Sequence, residues 1–102
     1  MSPVHITVVA ALTIAMPNAF SPNGDGHNDL FRLKYPSLVQ SYQITIFNRW
    51  GQKIFETKDA AKGWDGTLNG MDQPEGNYVY LIRYTNLLGE AKSLSGSVIL
   101  IR

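Results

Sequence analysis

The sequence predicts an all-β fold, a β-sandwich of about seven short strands. Helical patterning is scarce, and Ala60-Ala61-Lys62 is long enough for one short turn only. Short runs alternate apolar and polar residues with period two, as half-buried strands do. Clusters of Gly, Pro, Asn and Asp separate these runs about every 8–12 residues, the spacing of a sandwich.

In chain order, Val4, Ile6, Val8 and Ala10 alternate in a run rich in β-branched residues, which favours a first strand. The apolar stretch from Val4 to Met16 is shorter than the roughly 20 residues that a spanning helix needs. It lacks the positive n-region of a signal peptide, and Ala-Met-Pro is a poor cleavage site. Leu30 to Tyr35 alternates next, with Phe31, Leu33 and Tyr35 on one face and Arg32 and Lys34 on the other. Tyr42 to Phe47 places Tyr42, Ile44 and Ile46 inward. Lys53 to Glu56 is short. Asn77 to Thr85 is the longest run, with Tyr78, Tyr80, Ile82 and Tyr84 on one side. Lys92 to Ile101 closes the chain, Val98 and Leu100 facing away from Ile99 and Ile101. Asn48-Arg49-Trp50-Gly51 and Asn86-Leu87-Leu88-Gly89 read as hairpins, each with a Gly available for φ > 0. Gln73-Pro74-Glu75-Gly76 reads as a type II turn or a relative of it.

The bulk numbers narrow the function. At 102 residues the chain is one domain, able to bury a core but near the marginal end of stability. A hydrophobic fraction of 44% is ordinary for a globular protein. A net charge of +1 with no Lys/Arg run gives no electrostatic case for nucleic acid or an anionic membrane. Without cysteine there is no disulfide, thiolate metal site or Cys nucleophile.

The block from Pro17 to Phe31, P-N-A-F-S-P-N-G-D-G-H-N-D-L-F, concentrates turn-forming residues just before a strand. Its Asn23, Asp25, Asn28 and Asp29 could offer several oxygens to Ca²⁺. Set on an EF-hand frame with Asp25-Gly26 at positions five and six, Ser21, Asn23 and Asp29 fall at one, three and nine, but Arg32 stands where a bidentate Glu belongs. The loop is not an EF-hand, so a calcium site at Asn23, Asp25 and Asp29 would be weak. The competing reading is a turn stitched by its own Asn and Asp side chains.

Catalysis has little to stand on. His5 and His27 are the only histidines, no G-x-S-x-G elbow or paired-His zinc spacing occurs, and the carboxylate pairs Asp25/Asp29 and Asp65/Asp72 lie in turns. The chain is therefore read as a non-enzyme that requires no cofactor. Trp50 and Trp64 with Tyr78, Tyr80 and Tyr84 could form a sugar-stacking platform, and an adhesion or carbohydrate-binding module is the alternative function. Rings closing the end of a sandwich are the simpler account of both tryptophans, which sit in the turns N-R-W-G and G-W-D-G. Those turns carry Trp and Arg, residue types used at interface hot spots.

The blocks P-N-A-F-S-P-N-G-D-G-H-N-D-L-F, I-F-N-R-W-G-Q-K-I-F-E-T, G-W-D-G, P-E-G-N-Y-V-Y-L-I-R-Y and G-S-V-I-L-I-R follow one another in an order that closely resembles the gliding motility-associated C-terminal domain family. This is the type B sorting domain of the type IX secretion system. The resemblance runs from about Met16 to Arg102; Ser21 stands where members usually have Thr, and His27 where they usually have an aliphatic residue. It implies an Ig-like antiparallel β-sandwich over residues 16–102. Residues 1–15 would then be a linker, the last strand of a preceding module, or a first strand of this one. It further implies a folded address at the end of a larger exported protein, with a cargo domain N-terminal to it in the same chain. That protein would cross the periplasm of a Gram-negative bacterium to be secreted or held at the cell surface. The partners are outer-membrane proteins of the secretion machinery, with no direct membrane insertion. A folded address needs rigid turns, which points to the Pro22–Asp29 loop, to Asn48, Arg49, Trp50 and Gly51, and to Trp64, Asp65 and Gly66. The terminal strand from Ser97 to Arg102 is a further candidate, because free strand-edge groups can be captured by strand addition.

Overall fold

In the computed structural model, residues 14–26 and 29–102 are described. Among these, seven strands form: β1 (Ala19–Phe20), β2 (Val39–Phe47), β3 (Lys53–Thr57), β4 (Thr67–Leu68), β5 (Met71–Asp72), β6 (Gly76–Asn86) and β7 (Ala91–Leu100), with a 3-10 turn at Pro36–Leu38. The expected all-β sandwich is present. Its main layer is a five-stranded sheet in the order β1-β7-β6-β2-β3, and β4-β5 make a second, two-stranded sheet. Among the described residues the β1/β7 pair is parallel and the other pairs are antiparallel.

The alternation read from sequence sets the inner face of the large sheet. Tyr42, Ile44 and Ile46 of β2, Tyr78, Tyr80 and Ile82 of β6, and Val98 and Leu100 of β7 are all buried. The opposing layer contains little ladder. Phe31 and Trp64 bond each other's backbone in an isolated bridge, and the Lys34 amide donates to the Ala15 carbonyl. Side chains join it to the sheet: Phe20, Phe31, Leu33 and Trp64 are each 1% exposed. Phe20 lies 5.4 Å from Trp64 and 5.9 Å from Phe31, while Trp64 meets Tyr78 edge-on at 5.0 Å and Phe31 meets Tyr80 at 5.2 Å. Tilted and edge-on pairs of this kind each add about 0.5–1.5 kcal/mol beyond their burial.

Two expectations change. Leu30 to Tyr35 forms no strand: it bends at Leu30 and Lys34 and makes one isolated bridge at Phe31. Phe31 and Leu33 point into the core as expected, whereas Tyr35 is 58% exposed because the Pro36 turn follows it at once. The terminal strand does not offer a free edge at its end. The Ile99 amide donates to Asn18 O (2.9 Å), the Ile101 amide to Phe20 O (3.0 Å) and the Ser21 hydroxyl to Ile101 O (3.1 Å). Among the described residues the uncovered part of that edge is 91–97. The first strand read at Val4–Ala10, along with His5, His27 and Asn28, lies outside the described residues. Ile14 is buried in the core.

Candidate functional site

The hairpin after β2 is closed by one side chain. Asn48 Oδ1 accepts the amides of Trp50 and Gln52, both at 3.0 Å, and Asn48 Nδ2 donates to Gln52 Oε1 at 3.0 Å. The Gly51 amide returns to Asn48 O, at the φ of +79° that an L side chain resists. With the turn closed by Asn48, the two tip residues are left free. Trp50 is 76% exposed, and the Arg49 guanidinium lies 5.3 Å from its ring centroid. Trp50 therefore does not close the end of the sandwich.

Trp64 does. Its ring is 1% exposed, and its indole N–H donates to Thr67 O at 2.8 Å. Asp65 Oδ1 accepts the Thr67 amide (3.0 Å) and hydroxyl (2.7 Å), which fixes the turn locally. Gly66 has φ +83° and sits in a tight seat. A Cβ there would stand 3.1 Å from Arg102 Nη2, 3.2 Å from Pro22 Cγ and 3.4 Å from Leu100 Cδ1. One tryptophan is in the core and the other in solvent, so the two rings do not form a shared sugar platform.

Arg102 ties this region together. Its Nη2 donates to Gly66 O (2.6 Å), its Nε to Gln73 O (3.0 Å) and its backbone amide to Glu75 Oε1 (2.6 Å), with Asp72 Oδ1 at 3.7 Å from Nη1. Tyr78 donates its hydroxyl to Pro74 O at 2.5 Å. Burial pushes the Tyr78 phenol above its usual range, and the guanidinium groups of Arg102 and Arg49 pull it back. Arg49 lines the same crevice as Tyr78, and Arg102 binds Gln73 O, next in the chain to the Pro74 carbonyl that takes the phenol. A shallow crevice lined by Arg49, Trp50, Pro74, Glu75 and Tyr78 joins the hairpin to the Arg102 clasp. The fold thus gathers Asn48, Arg49, Trp50, Gly51, Trp64, Gly66 and Arg102 at one end of the sandwich.

The Pro22–Asp29 loop meets this end through Pro22. Further along, Asp29 Oδ1 accepts the Gly24 amide (3.0 Å), Asp29 Oδ2 the Gly26 amide (2.8 Å) and Asn23 Oδ1 the Asp25 amide (3.1 Å). These oxygens stitch the loop. Among the described residues, no three acidic or histidine side chains gather as a metal cluster.

Sequence reasoning missed the Arg102 clasp, whose partners lie 36 and 29 residues back along the chain. It also missed the β4–β5 hairpin, although Leu68-Asn69-Gly70-Met71 carries the Asn-Gly signal and both turn residues have positive φ.

A comparison with curated proteins finds none that matches. A family model described as the CHU_C type IX secretion signal domain matches residues 14–100. That span takes in the aromatic core, the hairpins, the Gly66 seat and all of β7, and it shows that the chain belongs to the type IX secretion signal domain family.

Proposed function

We propose that this domain is the address of a larger exported protein, read in its folded form by outer-membrane components of the type IX machinery. The cargo precedes it in the same chain, and the whole reaches the outside or the cell surface through the periplasm of a Gram-negative bacterium. The family match over residues 14–100 carries this reading. The geometry supports it, because each candidate turn is closed by its own hydrogen bonds and presents a fixed surface. Conformational freedom already lost on folding is not lost again on binding. Within this reading Trp50 and Arg49 are contact residues. Asn48 and Gly51 form their frame, while Trp64, Asp65, Gly66 and Arg102 hold the end of the sandwich in shape.

Calcium keeps an optional bracing role at Asn23, Asp25 and Asp29. A melting temperature lowered by chelator and restored by Ca²⁺ supports that role; one indifferent to both dismisses it. The main test fuses the full chain behind a periplasmic reporter in a host with this secretion system. Export of the folded fusion is expected. A folded reporter retained in the periplasm overturns the address reading.

A further inference from the structure

The outer face of the large sheet is divided along its length. Cross-strand register places Phe47 beside Val79 and Val79 beside Ser97, with Thr45, Leu81 and Ser95 in the next row. Ile99 follows at the same end, opposite Asn77. Val79 is 50% and Ile99 46% exposed, so Phe47, Val79, Leu81 and Ile99 make an open apolar strip on this half of the face, bordered on β3 by the Lys53–Glu56 ion pair, with Lys53 beside Phe47 and Glu56 beside Thr45. Toward the other end the rows become Gln43-Arg83-Ser93 and Ser41-Thr85-Ala91, polar but for the last residue, with the Ser41 hydroxyl bonded to that of Thr85 at 2.8 Å. Phe47 is followed directly by the Asn48 hairpin. Trp50, the most exposed large apolar side chain among the described residues, stands at its tip and shares a crevice with Asn77, the residue paired with Ile99. A grouped apolar surface with a rigidly mounted Trp is the composition of an interface hot spot rather than of scattered surface residues.

We infer that the Trp50 tip and the adjoining outer-face residues Phe47, Val79, Leu81 and Ile99 form the docking surface for a component of the type IX machinery whose own surface is apolar and bears a carboxylate opposite Arg49. The inference rests on the address reading and gives it a location. The partner's charge follows from Arg49. Among the described residues its guanidinium has no carboxylate within salt-bridge range, since the ion pairs found there are Lys53–Glu56, Lys92–Glu90 and Arg102–Asp72. Its near neighbour is the Trp50 ring, an arrangement that leaves the cation open on its outer side. A carboxylate on the partner is the complement of this open cation.

The test uses the full chain behind a periplasmic reporter in a host with the secretion system, and the purified chain in parallel. Trp50→Ala, Val79→Lys and Arg49→Glu are each expected to cut the exported fraction roughly tenfold or more, the loss of one strong contact. Their melting temperatures should stay within about 3 °C of the parent, since all three sites are exposed. Leu88→Ser, at the tip of the opposite hairpin, should export like the parent. If the parent is exported and the three variants match it, the docking surface is wrong and the address reading stands. If the parent itself is retained, the address reading fails first. A parent that dimerises in sedimentation, with Trp50→Ala monomeric, assigns the surface to a second copy and overturns the inference.

Discussion

The hairpins Asn48–Gln52 and Asn86–Glu90 close in the same way at opposite ends of the β2–β6 pair. In each, the leading Asn accepts two backbone amides at 3.0 Å and donates to the side chain four residues on, Gln52 in one and Glu90 in the other. In each, a Gly three residues after the Asn takes a φ near +80° and returns its amide to the Asn carbonyl. The frames match while the tips differ, Arg49-Trp50 against Leu87-Leu88. Turn geometry therefore does not require Arg or Trp at the tip. What the Arg49-Trp50 tip carries is available for recognition, and that is the reason to place a contact there.

The largest effect that can separate the two hairpins lies in their asparagines. Asn86 is 3% exposed, whereas Asn48 is only half-buried. Removing the Asn86 side chain leaves two part-buried amides without their protein partner, whereas the matching amides at Asn48 are exposed. Asn86→Ala should lower stability by about 2–3 kcal/mol, and Asn48→Ala by about 1 kcal/mol, since water can replace the lost bonds there. Urea unfolding of the two variants measures the difference. Equal losses would mean that burial does not distinguish the frames.

Much of this frame could be read in the sequence, but not its repetition. Both hairpins were legible from Asn and Gly flanking a two-residue tip. That they are one motif, N-x-x-G followed by Gln or Glu, was also written there; it becomes visible only once the fifth residue is known to bond back to the first. Strands β2, β6 and β7 were legible because one face of each is buried, and burial imposes period two. Leu30–Tyr35 has the same alternation, but its backbone bonds only at single points, and alternation reports a buried face rather than a ladder. Trp50 and Trp64 sit in similar turn contexts. Only the hydrogen bonds tell them apart: Asn48 closes the first turn, and the indole N–H of Trp64 closes the second. The Arg102 clasp had no local signal, because its acceptors are backbone carbonyls far away along the chain.

Alkali sharpens the same contrast through the tyrosines. Tyr42, paired with Tyr84 toward the Asn86 hairpin, is pushed up to about 12 by burial and then by the charge of Tyr80. Tyr78, near the other hairpin, is also raised by burial, but Arg102 and Arg49 oppose the shift. A phenol whose folded pKa lies above its unfolded value of 10 contributes fully below pH 10, and the contribution is lost as pH rises through the folded value. For Tyr42 that loss falls between pH 10 and 12 and amounts to at most about 2.7 kcal/mol. Urea midpoints at pH 9 and 11.5 should therefore show Tyr42→Phe relieving more of the alkaline destabilisation than Tyr78→Phe. The reverse order would contradict the assignment of the cationic end to the Arg49 hairpin.

The smallest effect is the strictest check on the shared frame. Gly51 and Gly89 have φ of +79° and +82°, and a Cβ at either position would meet no atom within 4 Å. Alanine there introduces no clash, so its penalty comes from the backbone alone, about 1 kcal/mol for an L residue held in the left-handed region. Gly51→Ala and Gly89→Ala should therefore lose the same stability in paired urea titrations, despite tips of opposite chemistry. Asparagine at either position should recover part of the loss, since it tolerates that region better than alanine. A markedly larger loss at Gly51 would show that stacking of Arg49 on Trp50 depends on the turn and contributes to it. The tip would then belong to the fold and would no longer be free for a partner.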